Sequence, residues 1–291
     1  IITPYLSNQK SFIWVAEKKN YPNKIRAGKF RITEGMSNDA LVNHLRGGKQ
    51  ETVTLTFNNQ DDFKKLAGRV ASQIEADSTS LLQFMQDEDF LKNNGFTQET
   101  ALAMYIPNSY DFYWNTDADK FRSKMLSEYK RFWNDSRLNL AKQQNLNPLQ
   151  VITLASIVQK ETAVVAERRR VAGLYLNRLK DFWPLQADPT IIYALKKKYG
   201  QDKEFKRVLN KDLNIDSPYN TYVNFGLPPG PIGMPDISSI DAVLNPEQHK
   251  YYYMCASVDQ IGYHKFAKTL TEHNVNAAAY QKWVSQQGIK R

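Results

Sequence analysis

The 291-residue chain is 42% hydrophobic, 24% charged and 12% aromatic. That composition excludes disorder, a collagen-like fibre and a disulfide-stapled miniprotein, and it suffices for one or two sizeable cores. The net charge of +9 hints at an anionic partner or surface, and the single cysteine, Cys255, rules out an internal disulfide.

The charge is uneven. Residues 1–50 hold nine basic and three acidic residues, residues 51–100 four and nine, and residues 151–200 nine and four. Solvated helix faces account for much of this. The sharper reading is that Arg168, Arg169 and Arg170 face an acidic polymer. No zinc-finger spacing, GxxG clamp or aromatic RNP pattern accompanies them, so no nucleic-acid partner is expected. No apolar run of about 18 residues and no signal peptide is present. The start at Ile1 suggests processing or truncation, with an anchor removed upstream.

In chain order, residues 11–16 and 27–32 read as short strands around a turn at Tyr21-Pro22-Asn23. Ser37 is placed to cap a helix carrying Ala40, Leu41 and Leu45, which Gly47 and Gly48 stop. Residues 51–57 alternate with period two, as a half-buried strand does. Helices are expected at 61–75, 79–91 and 98–104. The aromatic stretch 105–114 reads as a loop with a strand, and a long amphipathic helix follows near 118–144. Asn147-Pro148 breaks the chain before a helix at 149–166, and 168–180 continues helically. Prolines between Pro184 and Pro235 then punctuate an irregular region that keeps helices at 190–198 and 236–244. Strands at 250–257 and 262–267 and a helix at 271–286 complete an α+β pattern with no βαβ periodicity. The three parts are residues 1–60, a helical and aromatic connecting part at 61–145, and a core at 146–291.

The candidate chemistry rests on carboxylates. His44, His249, His264 and His273 lie in no metal-ligand spacing, and Cys255 has no nucleophile signature, so neither metal nor cofactor is expected. His264 and His273 could approach one another, with hydrogen bonding the commoner role. Glu161 shares a helix face with Ile157 and Val158. An acid there must be paired or protonated, and desolvation raises its pKa toward the range of a proton donor at neutral pH. The competing reading pairs it with Lys160 or an arginine of 168–170. Glu167 is the rival acid, and the adjacent arginines suggest a salt bridge for it. Asp188 could be a second catalytic carboxylate, although its place before Pro189 suits an N-cap. The loop Tyr219–Ile232, with Gly226, Gly230 and its prolines, is either a groove wall or purely architectural.

Several of these segments together carry a family resemblance. They are Leu154-Ala155-Ser156-Ile157-Val158-Gln159-Lys160-Glu161-Thr162, Leu185-Gln186-Ala187-Asp188-Pro189-Thr190, Tyr219-Asn220-Thr221-Tyr222, Gly226-Leu227-Pro228-Pro229-Gly230-Pro231-Ile232 and Gly262-Tyr263-His264-Lys265-Phe266. In this order they resemble the endolytic murein transglycosylases, the MltG/YceG-like family, from about residue 20 onward. The resemblance implies a LysM-like strand–helix–strand subdomain near 25–60 and a YceG-like catalytic core. It implies cleavage of the β-1,4 bond between N-acetylmuramic acid and N-acetylglucosamine in peptidoglycan, leaving a 1,6-anhydro-muramyl end. The family's catalytic glutamate falls on Glu161. Gln186, Asp188, Tyr193, Asn220, Thr221, Tyr222, Gly230 and His264 are expected to bind or shape the substrate groove. Ala187 stands where the family often has Thr. Implied partners are peptidoglycan strands, penicillin-binding proteins and elongation or division machinery. The implied location is the bacterial inner membrane, single-pass, with this portion facing the periplasm. A hydrolytic muramidase and a non-catalytic peptidoglycan-binding protein are the alternatives.

Overall fold

A computed structural model describes residues 6–205 and 207–287. The chain divides into two compact units, one of residues 1–57, 64–84 and 108–123, the other of 58–63, 85–107 and 124–291.

In the first unit, helix α1 (Gln9–Lys18) replaces the strand expected at 11–16. Asn8 caps it by accepting from Ser11 N at 3.0 Å, and the helix buries Phe12 and Ala16, one turn apart. A six-residue apolar run is ambiguous by itself, and packing decided it. Phe12 and Ala16 meet Leu41, Val42 and Leu45 of α2 (Asn38–Gly47). Ser37 caps α2 as expected, accepting from Ala40 N at 3.2 Å. The strand expected at 27–32 reduces to one bridge, Lys29 to Glu51. Strand β1 (Thr52–Phe57) pairs antiparallel with β2 (Asn108–Tyr113), from Thr52↔Tyr113 to Phe57↔Asn108. Leu55 and Phe57 face inward, as the alternation requires, and Phe57 stacks on Tyr110.

Helices that the sequence suggested were continuous are cut by side-chain caps. Residues 79–91 form α4 (Ser78–Met85) and α5 (Glu88–Asn93), following α3 (Phe63–Ala71), with Asp87 capping α5 through Phe90 N. Residues 118–144 form α6 (Ala118–Phe132) and α7 (Asp135–Gln143). Asn134 divides them by accepting from Arg137 N at 3.0 Å. Short polar side chains offer the backbone an alternative to the helical bond, and amphipathic periodicity does not register that.

The second unit is built on α8 (Pro148–Glu161). Asn147 and Gln150 form a reciprocal capping box of 3.0 and 2.9 Å with Pro148 inside the first turn. Val151 through Val158 are all buried, so α8 is enclosed on every side. Each fully buried Leu, Ile or Val there contributes about 1.5–3 kcal/mol. Around it pack α9 (Arg168–Lys180), α10 (Asp188–Tyr199) and α11 (Ile237–Leu244). The hairpin of β3 (Tyr253–Ala256) and β4 (His264–Ala267) is antiparallel, and α12 (Leu270–Gln286) packs on it. The described residues thus form an α+β fold, with two small antiparallel strand pairs and many helices. Among the described residues no helix is long and apolar enough to cross a membrane.

Candidate active site

Glu161 is the last residue of α8, where the helix leaves the core and meets a cavity of about 230 Å³. Leu174, Tyr175 and Arg178 of α9 form one wall, and Gln186, Asp188 and Tyr222 another. Met254, Cys255 and Ala256 of β3 and His264 of β4 close it. The carboxyl is largely withdrawn from water, and desolvation raises its pKa to about 7. Tyr175 opposes the rise, its hydroxyl donating to Glu161 Oε1 at 2.5 Å, and so do the neighbouring His264 imidazole and the Arg178 charge. The Asp188 carboxylate adds to it. The result is an acid poised to give and retake a proton near neutrality.

The cavity walls are held by backbone carbonyls. Arg178 is 7% exposed and donates from Nε to Tyr252 O and from Nη1 to Leu185 O, so one guanidinium ties the β3 approach to the Gln186 segment. Gln186 adopts φ 50°, the left-handed region that a non-glycine residue rarely enters. Its N–H donates to Thr221 O, which fixes the strained turn.

The chain matches the YceG-like family over residues 3–279. It belongs to that family. It is 30% identical over 301 residues to the endolytic murein transglycosylase of Bacillus subtilis, covering 98% of this chain and 80% of that one. A protein of the same name from Streptococcus pneumoniae is 29% identical, with 92% of this chain covered and 53% of the relative. The chain therefore spans about half the length of the pneumococcal protein. The crystal structure of a yceG-like protein from Listeria monocytogenes superposes with a TM-score of 0.64 at 29% identity, covering 92% of this chain and 90% of that one.

Of the residues expected to shape the YceG-like site, Gln186, Asp188, Tyr222 and His264 line the Glu161 cavity. Asp188 does not cap α10. Ala187 occupies that position, and the Asp188 carboxylate instead accepts from the Tyr222 hydroxyl at 2.5 Å. Asn220 is fully buried, its amide donating to Leu213 O and Ile215 O and its Oδ1 accepting from Tyr222 N, so it shapes the loop behind Tyr222. Thr221 is buried behind the wall, with its hydroxyl between Ala187 N and Thr190. Tyr193 packs against the Tyr219 ring and lines a separate recess with Asp61 and Lys160. At Gly230 a Cβ would lie 2.1 Å from Glu99 O, so that glycine serves a close backbone approach. The Tyr219–Ile232 loop gives the cavity only Tyr222. Its Gly226–Pro229 part lines a second cavity of about 880 Å³, together with Gly173, Leu176 and Asn177 from the other side of α9.

Of the arginine run, Arg168 is buried, while Arg169 and Arg170 are exposed. Arg168 is buried against Ser238 and Asp236, Arg169 donates to Asn245 O, and Arg170 pairs with Glu247. Glu167 pairs with His264 at 2.8 Å and not with these arginines. His273 stacks on Tyr253. Tyr175, Arg178 and the β3 residues were not singled out in the sequence. Arg178 and Tyr175 sit at helical spacing from one another on α9, yet only the fold brings that face to Glu161. Among the described residues no group of three or more His, Cys, Asp or Glu is placed to hold a metal ion.

Proposed function

We propose that this chain is an endolytic lytic transglycosylase of peptidoglycan, with Glu161 acting first as acid and then as base. The observation that carries the reading is Glu161 itself, a desolvated carboxyl raised to about 7 on a polar cavity. The family membership and the relatives named endolytic murein transglycosylase support it.

With Tyr175 donating to Oε1, the acid proton resides on Oε2. It passes to the glycosidic oxygen of the departing N-acetylglucosamine as the bond to the muramyl C1 breaks. The muramyl 6-hydroxyl then attacks C1 and gives its proton to Glu161. This closes the 1,6-anhydro ring, restores the acid and consumes no water. Burial favours Glu161 as the neutral acid, while the Tyr175 hydrogen bond and the Arg178 charge stabilise it as the transient carboxylate. Gln186, Tyr222 and His264 offer polar groups to the glycan. Residues 25–60 are read as the LysM-like, glycan-contacting part, with α2 bracketed by the Lys29–Glu51 bridge. An upstream membrane anchor, an extracytoplasmic location and peptidoglycan synthases as neighbours belong to the same reading.

Asp188 on the same cavity favours one rival, a muramidase in which that carboxylate activates water. Its engagement by Tyr222 argues against a free base. Mass spectrometry of digested peptidoglycan decides between them. Products one water lighter than reducing-end fragments are expected, and Glu161→Gln should abolish them. Reducing ends as the sole product would establish the muramidase. Strands bound but never cut by the wild type would leave a binding protein.

A further inference from the structure

The proposed mechanism leaves one buried acid without a role. Glu167, 4% exposed, ends the 3-10 turn Val165–Glu167 that precedes α9. Its Oε1 accepts from the backbone N of His264 at 2.7 Å. Its Oε2 accepts from His264 Nδ1 at 2.8 Å and from Thr162 Oγ1 at 3.1 Å. Its ring partner is His264, and no lysine or arginine pairs with it among the described residues.

These contacts join the two ends of the site. Thr162 follows Glu161 and closes α8, and its hydroxyl also accepts from Val164 N. His264 opens β4, and its ring lines the Glu161 cavity. A carboxylate removed from water needs donors, and here the only charged or ring donor supplied is the imidazole. A carboxylate at Nδ1 dictates where the neutral ring keeps its proton. Nδ1 bears it, and Nε2 carries a lone pair.

We infer that Glu167 is a positioning residue that fixes His264 in the Nδ1-protonated form, and that His264 Nε2 accepts a hydrogen bond from a hydroxyl of the glycan seated against Glu161. This rests on the transglycosylase reading for the identity of the ligand, but not for the state of the ring. Glu167→Gln keeps the shape while replacing one acceptor oxygen by an amide that can donate to Nδ1. The ring then loses its reason to hold the proton there.

Two measurements test it on the whole chain. Two-bond ¹H–¹⁵N spectra of histidine-labelled protein, assigned through His264→Gln, should place the neutral-ring proton on Nδ1 in the wild type. In Glu167→Gln they should show it moving toward Nε2. On peptidoglycan strands, Glu167→Gln and His264→Gln should each lower kcat/KM by roughly tenfold, the scale of one lost hydrogen bond. The double variant should be no worse than His264→Gln alone, because Glu167 acts through the ring. Multiplying losses in the double variant would overturn the inference, as would a wild-type neutral ring protonated on Nε2. Should Glu167→Gln fail to fold, the wild-type spectrum and the His264→Gln kinetics still decide. Unchanged cleavage by Glu161→Gln would instead refute the transglycosylase mechanism, and the tautomer measurement is independent of it.

Discussion

At the scale of single residues, the proposed chemistry turns on what it costs to ionise Glu161. Burial moves its pKa from the ordinary 4.5 to about 7. In the proposed mechanism catalysis starts from the neutral form, so kcat/KM should fall as pH rises through about 7. Tyr175→Phe removes a donor to the carboxylate, which raises the pKa further and should carry that alkaline limb to higher pH. A pH–rate profile of the two proteins checks this, and an unshifted limb would show that another group governs it. The same burial has a price in stability. Between pH 4.5 and 7 the folded state holds a proton that the unfolded chain has released, so stability falls as pH rises across that window. The full loss is about 3 kcal/mol. Glu161→Gln escapes it. Melting curves should place this variant above the wild type at about pH 8, with the gap closing toward pH 4.5. A gap that ignores pH would mean the ionised Glu161 is not the source of the instability.

At the scale of elements, α8 succeeds as a platform because its start and its face were both specified locally. Asn147, Pro148 and Gln150 fix the first turn, and the continuous buried run from Val151 to Val158 leaves Glu161 at the end. The platform then holds the Pro/Gly loop through one hydroxyl. Ser156, 1% exposed, accepts from Ile232 N at 3.0 Å and donates to Thr153 O. Ser156→Ala orphans a buried N–H and should cost about 1–3 kcal/mol. Gly230→Ala drives a methyl into Glu99 O and should cost about as much again through backbone displacement. Denaturant titrations of both measure it, and an unchanged midpoint would mean that the loop is not clamped at these points. Such local signals explain why α8, α9, α10 and β1 could be read in the sequence. Residues 11–16 could not, because a short apolar run suits strand and helix equally until Phe12 and Ala16 find Leu41 and Leu45. The divided helices at Asp87 and Asn134 show the opposite case, in which a single capping side chain outweighs a periodic face.

At the scale of the whole molecule, the site is assembled from residues that sequence order keeps apart. Glu161 could be found by its place on an apolar helix face, and Asp188, Tyr222 and His264 through the family's motifs. The bonds that give them roles could not be found that way, since Tyr222 reaches Asp188 across 34 positions and Glu167 reaches His264 across 97. The charge pattern was only partly legible, for a related reason. A run such as Arg168-Arg169-Arg170 reports composition, and the fold buries Arg168 against Asp236 and Ser238 while Arg169 and Arg170 stay exposed beside Asn245 and Glu247. The net charge of +9 does not depend on that run, because it belongs to the surface as a whole. Its effect reaches about 8 Å at physiological salt, so it can draw in a carboxylate-bearing strand without touching the bond that breaks. Rising ionic strength should therefore raise KM for peptidoglycan strands with acidic peptide stems and leave kcat unchanged. Affinity for uncharged N-acetylglucosamine oligomers should respond little. Steady-state kinetics on the strands and titration calorimetry with the oligomers, at low and high salt, measure both. Equal salt responses for charged and uncharged glycans would mean that the positive surface plays no part in substrate capture. A salt-dependent kcat would place a screened charge at the reaction itself, and Arg178, buried on the cavity wall, would be the first residue to examine.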